Sequence, residues 1–144
     1  MPLTVEHMLA EFHGNPPSER ANVEQAEKQA GFAFPTDYRD FLLKQNGGEG
    51  WIGLNYAMLW RAEELMEMNE AYRFTVLAPA ILAIGSNGGG EAYALDRRTT
   101  EPSFVLIPFM HVDLDVAIQI ATSLHAFLER LYTSDDLFED SLHT

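Results

Sequence analysis

The sequence predicts a single α+β domain, with helices packed on a mainly antiparallel sheet of about four to six strands. Apolar residues recur at helical spacing at both ends and in the middle of the chain, and short aromatic or β-branched runs separate them. With 144 residues, 47% of them hydrophobic, the chain is long enough to form one hydrophobic core and too short for two domains of ordinary size. We therefore treat residues 1–144 as one domain.

Three helices are predicted in the first third of the chain. The first spans 3–13 with Thr4 as its cap, and the second runs from a cap at Ser18 to Ala30. Gly31 and Pro35 end the second helix, and Thr36 is placed to cap a third that extends to about Gln45. The spacing of the third helix puts three large side chains on one buried face: Tyr38, Phe41 and Leu42.

The middle of the chain alternates between strand and helix signals. Residues 51–54 and 58–60 are short aromatic-rich runs that favour strands, and residues 62–73 return to helical spacing with Leu65, Met68 and Tyr72 facing inward. Residues 81–96 are typical of a β-hairpin, because Asn87-Gly88 fits the two positive-φ positions of a type I′ turn.

The last third is predicted to complete the sheet and close the core. The run 104–107 is continuously apolar, as in a strand buried on both faces, and a further strand is expected at 116–121. Ser123 caps a closing helix whose inward residues are Leu124, Phe127, Leu128 and Leu131. Residues 133–144 are expected to form an acidic tail that is mobile or docks only through Leu137 and Phe138.

Composition narrows the classes of function. The chain has 22 acidic and 9 basic residues, a formal net charge of −13. Because binding to nucleic acid depends on neutralising phosphates with Lys and Arg, direct contact with DNA or RNA is not expected. A basic protein partner is expected instead. The chain has no cysteine, no signal-like N-terminus and no apolar run of the roughly 18 residues that a membrane span needs. A cytoplasmic location without membrane contact is predicted.

Two groups of carboxylates could contribute to such a partner surface. Glu63, Glu67 and Glu70 fall at i, i+4 and i+7 of the predicted helix 62–73, on the side opposite its apolar residues. Asp113 and Asp115 alternate with apolar residues in a segment predicted to be extended. With His111 they form the only metal-like pattern, but same-face strand neighbours lie about 7 Å apart, which is too far to share an ion. No metal or cofactor is expected.

Two tryptophans, Trp51 and Trp60, flank the first pair of strands and could stack on a small ligand such as a sugar, although core packing is the commoner role. No nucleophile elbow, zinc-binding helix motif or phosphate-binding glycine loop is present. We therefore predict no catalytic residues and a protein that is not an enzyme.

A family resemblance lies in the segment around the third helix and in two later stretches, and covers about residues 18–132. The later stretches are the glycine turn that leads into a strand over 88–96 and the closing helix around 121–128. The residues that carry the main match are Val23, Ala26, Glu27, Gly31, Phe32, Phe34, Pro35, Tyr38, Arg39, Phe41, Leu42, Asn46, Gly47 and Gly48. Together they resemble the SUKH superfamily, also called the SMI/KNR cell-wall assembly regulator family.

The resemblance implies a non-enzymatic binding module. Bacterial members are largely immunity proteins that neutralise toxins, often nucleases, and a cognate toxin domain is therefore the expected basic partner. A regulatory scaffold like the fungal members is the main alternative. A small-ligand binder that uses Trp51 and Trp60, and a hydrolase centred on His111, Asp113 and Asp115, remain open as further alternatives.

Overall fold

The computed structural model describes residues 3–137, which form one seven-stranded sheet with helices on both faces. The α-helices are α1 (Val5–Met8), α2 (Arg20–Ala30), α3 (Thr36–Lys44), α4 (Leu65–Ala71), α5 (Phe74–Leu77) and α6 (Leu124–Thr133). The strands are β1 (Phe12–Gly14), β2 (Gly48–Ile52), β3 (Asn55–Leu59), β4 (Ile81–Ser86), β5 (Glu91–Asp96), β6 (Ser103–Pro108) and β7 (Ile118–Ala121). The predicted α+β class is confirmed.

The strands follow their sequence order across the sheet, and every neighbouring pair is antiparallel. The count of seven within residues 3–137 exceeds the predicted four to six, because residues 12–14 form an edge strand. Residues 3–13 were predicted to be one helix; Thr4 does cap it, but the helix ends at Met8. Pairing with β2 gives Phe12 a ladder partner in Gly50, and its side chain is buried.

The central helix α3 is buried as predicted, but its start differs. Tyr38, Phe41 and Leu42 are all in the core. Thr36 is the first helical residue rather than the cap, and Pro35 takes the cap position without any side-chain hydrogen bond. Because Pro35 already has the extended ψ and fixed φ of a chain entering a helix, no capping hydroxyl is required there.

The sequence predicted the start of α6 correctly and that of α2 only in part. The cap of α2 is Glu19, not Ser18, whose hydroxyl instead donates to the Glu19 carbonyl. The cap of α6 is Ser123, as predicted, with its oxygen accepting from the Ala126 amide at 3.1 Å. Asp37 Oδ2 also accepts from the Leu124 amide at 2.7 Å, so α3 satisfies a second free amide at the start of α6.

The hairpin β4–β5 is present, but its predicted two-residue type I′ turn is wrong. Residues 87–90 form a longer loop, and positive φ occurs at Gly88 and Gly90 rather than at Asn87. The Asn87 side chain builds this loop, since its Oδ1 accepts from the amides of Gly89 at 2.8 Å and Glu91 at 3.2 Å. Asparagine therefore shapes this loop through its side-chain oxygen and not by adopting a positive φ.

The two faces of the sheet are covered by different helices. On one face Phe127 of α6 stacks on Phe104 of β6, with ring centroids 4.8 Å apart, and meets Tyr93 of β5 edge-on at 5.4 Å. On the other face Phe74 of α5 contacts Phe109, which directly follows β6. Strands β4 to β6 lie between these layers and are buried almost throughout.

The segment 62–73, predicted to be one helix, begins as a 3₁₀ turn over Ala62–Glu64 and continues as α4. Leu65 is buried as predicted, but Tyr72 is 41% exposed and Asn69 takes its place in the core at 1% exposure. The Asn69 amide accepts from the Ala83 N–H at 2.8 Å and donates to the carbonyls of Ala83 and Leu65. Strand β3 pairs with β4 only near residues 85 and 86. At Ala83, Asn69 therefore provides the hydrogen bonds that a neighbouring strand would otherwise supply.

The Asn46-Gly47-Gly48 sequence joins α3 to the sheet. Buried Asn46 accepts from the Ala62 amide at 2.8 Å, and so fixes the start of the 3₁₀ turn. At Gly47, with φ +72, a Cβ would lie 2.3 Å from the Leu59 carbonyl oxygen. At Gly48 it would lie 2.4 Å from the carbonyl oxygen of His13. Only glycine fits two such close backbone approaches.

The described helices also bear on membrane contact. Within residues 3–137, none combines the length and the apolar character that a membrane span requires.

Leu137, the last described residue of the predicted acidic tail, is buried at 5% exposure. Phe138, its predicted apolar partner, lies outside the described residues.

Candidate protein-binding cleft

The outer face of strands β1 to β3 is open and carries a cleft. The register places His13 opposite Glu49, Glu49 opposite Met58, and Trp51 opposite Tyr56. Since side chains alternate along a strand, all five lie on one face, while the residues between them face the core. The burial of β2 follows this alternation from Gly48 to Ile52.

This face is continuous with the one that α5 covers farther along the sheet. Met58 of β3 lies opposite Ser86 of β4, which lies opposite Ala92 of β5, and Ala92 lies opposite Ile107 of β6. Phe109, two residues after Ile107, meets Phe74 of α5 on this same side. The helical layer therefore covers β4 to β6 and stops before β3, and the cleft occupies the uncovered part.

The cleft has a volume of about 830 Å³ and is bordered on one side by the 3₁₀ turn and the start of α4. The residues that give it chemical character are Glu11, Glu49, Trp51, Tyr56, Arg61 and Glu64. Cavities that bind small ligands measure roughly 300–1,000 Å³, so this one can hold several side chains of a partner or one compact ligand.

The electrostatics of the cleft are dominated by carboxylates. Three glutamates line it against a single guanidinium, that of Arg61, while Glu64 accepts a hydrogen bond from the Arg61 backbone amide at 3.0 Å. The Tyr56 hydroxyl donates a short hydrogen bond to Glu49. This hydrogen bond, with smaller contributions from desolvation and from the charge of Glu49, raises the pKa of Tyr56. The phenol therefore remains a donor and holds the Glu49 carboxylate in place.

The two tryptophans, predicted as a pair, have different environments. Trp51 is 51% exposed and meets Tyr56 edge-on, with ring centroids 5.4 Å apart and an interplanar angle of 77°. Trp60 is only 9% exposed and lies parallel to Tyr72. Both line the cleft, but only Trp51 offers substantial ring surface to a ligand.

The predicted carboxylate row is present on the surface but is not uniform. Glu63, Glu67 and Glu70 are all exposed. Glu63 lies in the 3₁₀ turn and accepts a hydrogen bond of 2.7 Å from the side chain of buried Asn46. Glu63 therefore also supports the fold, whereas Glu67 and Glu70 lie on α4.

The His111, Asp113 and Asp115 segment is not the extended strand that was predicted. Asp113 caps a 3₁₀ turn over Leu114–Val116, accepting from the Asp115 amide at 2.9 Å, and β7 starts only at Ile118. Asp113 Oδ2 lies 3.8 Å from His111 Nε2. Among residues 3–137, no three His or carboxylate side chains are grouped so that they could hold a metal ion.

Sequence reasoning did not find five residues that give the cleft its chemical character: Glu49, Tyr56, Arg61, Glu64 and Glu11. A signal existed for the first, since Gly48 to Ile52 alternates small or apolar residues with Glu49 and Trp51. The others are placed by contacts across strands or from distant segments, which leave no local pattern.

The sequence comparisons identify the family. Residues 17–130 match the SMI1 / KNR4 family (SUKH-1). The chain belongs to this family. A relative in Bacillus subtilis (strain 168), the uncharacterized protein YnaB, is 35% identical over 124 residues, which make up 85% of this chain and 81% of that protein. Membership is consistent with an immunity-type or regulatory protein-binding domain. The matched range includes Glu49, Trp51 and Tyr56 of the cleft but not Glu11.

Proposed function

We propose that this protein is a non-enzymatic immunity protein that binds and neutralises a toxin domain with a basic surface, a nuclease in particular. The observation that carries the proposal is an open cleft rich in carboxylates on a member of the SMI1 / KNR4 family. The net charge of −13 supports it. A nuclease must be basic where it grips phosphate, and an acidic inhibitor can occupy that surface.

Charge also gives the complex a kinetic signature. Complementary fields accelerate encounter more than they stabilise the finished complex, so salt should act mainly on the association rate. The Debye length is roughly 10 Å at 0.1 M salt and roughly 3 Å at 1 M. Raising salt across this range should slow association strongly and change dissociation little.

The test is surface plasmon resonance against the products of the genes that neighbour this one, at several salt concentrations. Glu67→Lys with Glu70→Lys reverses the row on α4, while Glu63 is left in place because of its bond to Asn46. The matched control is Glu101→Lys with Glu129→Lys, which changes the net charge equally at exposed positions outside α4. Slower association of the α4 variant than of the control is expected.

A parallel assay addresses neutralisation and catalysis. An equimolar amount of this protein should abolish nucleic-acid cleavage by the toxin domain, and the protein alone should leave the same substrate intact. Equal association rates for the two double variants would remove α4 from the interface. No binding to any neighbouring gene product would contradict the immunity role and favour the regulatory scaffold.

A further inference from the structure

We propose that the cleft over β1 to β3 receives an arginine side chain of the partner, stacked on Trp51 and paired with Glu49. This inference rests on the proposed function and adds to it the place and the chemistry of recognition. It places the direct contact on the open sheet face, while the charge of the glutamate row on α4 contributes by steering the encounter.

The first argument is the exposed aromatic surface at this position. Trp51 is 51% exposed although it lies within a paired strand, opposite Tyr56. A second hollow, of about 150 Å³, lies beside the same ring and is lined by His7 and Tyr132. Large aromatic rings that remain this accessible are typical of binding surfaces, and a planar cation is a favoured partner for an indole ring.

The second argument is the charge around that ring. Glu11, Glu49 and Glu64 line the cleft, and Arg61 is the single guanidinium among its lining residues. An anionic ligand is thereby disfavoured, whereas a cation gains from both the ring and the carboxylates. The charge of the cleft therefore favours a basic peptide segment over a nucleic acid as its occupant.

The third argument is preorganisation. Glu49 is held by the Tyr56 hydroxyl, and Tyr56 is in turn held edge-on against Trp51. These two contacts restrict the carboxylate and the ring before any ligand arrives, which lowers the entropy lost on binding. Arginine fits such a site better than lysine, because its flat guanidinium can stack and donate paired hydrogen bonds at once.

The cleft can be probed without the toxin, because both tryptophans of the chain line it. The probe is a capped peptide of alternating glycine and arginine, titrated at low salt against the full-length protein while tryptophan fluorescence is recorded. Matched peptides carry lysine, or the neutral arginine isostere citrulline. We expect saturable binding of the arginine peptide, at least about fivefold weaker binding of the lysine peptide, and none of the citrulline peptide.

Variants then locate the binding. Glu49→Gln removes the charge but keeps an acceptor for Tyr56, and Glu101→Gln makes the same charge change at an exposed turn between β5 and β6. Glu49→Gln and Trp51→Ala should each weaken the arginine peptide at least about fivefold, and Glu101→Gln should not. Because Trp51→Ala removes one reporter, its affinity is measured by calorimetry.

Three results would overturn the proposal: no saturable binding of the arginine peptide, equal binding of the lysine peptide, or unchanged affinity in Trp51→Ala. Saturation by an uncharged oligosaccharide that is unaffected by Glu49→Gln would instead assign the cleft to a sugar. Competition separates this inference from the proposed function. Toxin binding that is indifferent to the arginine peptide and to Trp51→Ala would keep the immunity role and remove the cleft from it.

Discussion

The two halves of the sheet share one antiparallel topology but differ in how their faces are used. Strands β4 to β6 are covered by α6 on one side and by the α4–α5 segment on the other, and are buried along almost their whole length. Strands β1 to β3 are covered on the inner side only, so that every second residue of β2 is exposed. Strands β4 to β6 supply the core, and strands β1 to β3 supply a surface.

The difference extends to the residues that each half carries on its covered face. In β2 the inward positions include Gly48 and Gly50, where a Cβ would lie 2.4 Å and 2.6 Å from backbone oxygens of the β1 segment. In β5 the corresponding positions hold Tyr93 and Leu95, both fully buried. Stability should therefore concentrate in β4 to β6, and substitutions on the outer face of β1 to β3 should affect binding more than folding.

The largest expected effect tests that concentration of stability. Phe127→Ala removes a fully buried ring that packs on Phe104 and Tyr93, and should lower the free energy of unfolding by about 3–5 kcal/mol. Trp51→Ala, on the open half, should lower it by less, about 1–2 kcal/mol, because half of this ring is exposed. Urea denaturation followed by circular dichroism measures both. Comparable losses in the two variants would contradict the contrast between the halves.

The next effect concerns the part of β4 that has no hydrogen bonds from β3 and is bonded by Asn69 instead. Asn69→Ala leaves the Ala83 amide and carbonyl without the partners that Asn69 provides, and each buried unpaired group costs about 1–3 kcal/mol. Hydrogen exchange should show faster opening at Ala83, together with a lower melting temperature. Glu70→Ala, at an exposed position of the same helix, is the control for helix propensity. If both variants melt alike, Asn69 does not substitute for a strand.

The smallest effect is a dependence on pH at the end of β5. Burial raises the pKa of Asp96, but hydrogen bonds and charge from Arg98 outweigh it, and the pKa is lowered overall. Its stabilisation is therefore complete above the ordinary value of 3.8 and is lost as the pH falls through the lower folded value. The stability difference between wild type and Asp96→Asn should shrink when the pH is lowered from neutral to about 2.

Chemical denaturation at a series of pH values measures that difference. Glu101→Gln, at an exposed position in the following turn, provides the baseline for removal of one carboxylate. A difference that is constant with pH would mean that the Asp96–Arg98 pair, at 2.6 Å, does not favour the ionised carboxyl.

The success of prediction also divides between the two halves. The apolar run at 104–107 and the buried face of α6 were predicted correctly, because burial on both sides or along one helical stripe leaves a strong periodic signal. Edge strand β1 was missed, since three residues are too few for a period and Phe12 also fits a helical spacing. Tyr56 was missed because its neighbours lie across strands, whereas Glu49 was missed because the predicted strand began at residue 51 and left out the start of β2.

The sequence alone determined the α+β class, the family resemblance, the acidic charge and most of the core, because these depend on composition and on local spacing. Only the tertiary structure decided that Asn69 is buried against β4, that Glu63 is bound to Asn46, and that Trp51 rather than Trp60 is open to solvent. Each of these outcomes depends on which segment comes to lie beside another. Such contacts between distant segments are selected by packing and hydrogen-bond satisfaction over the whole fold, and no local pattern records them.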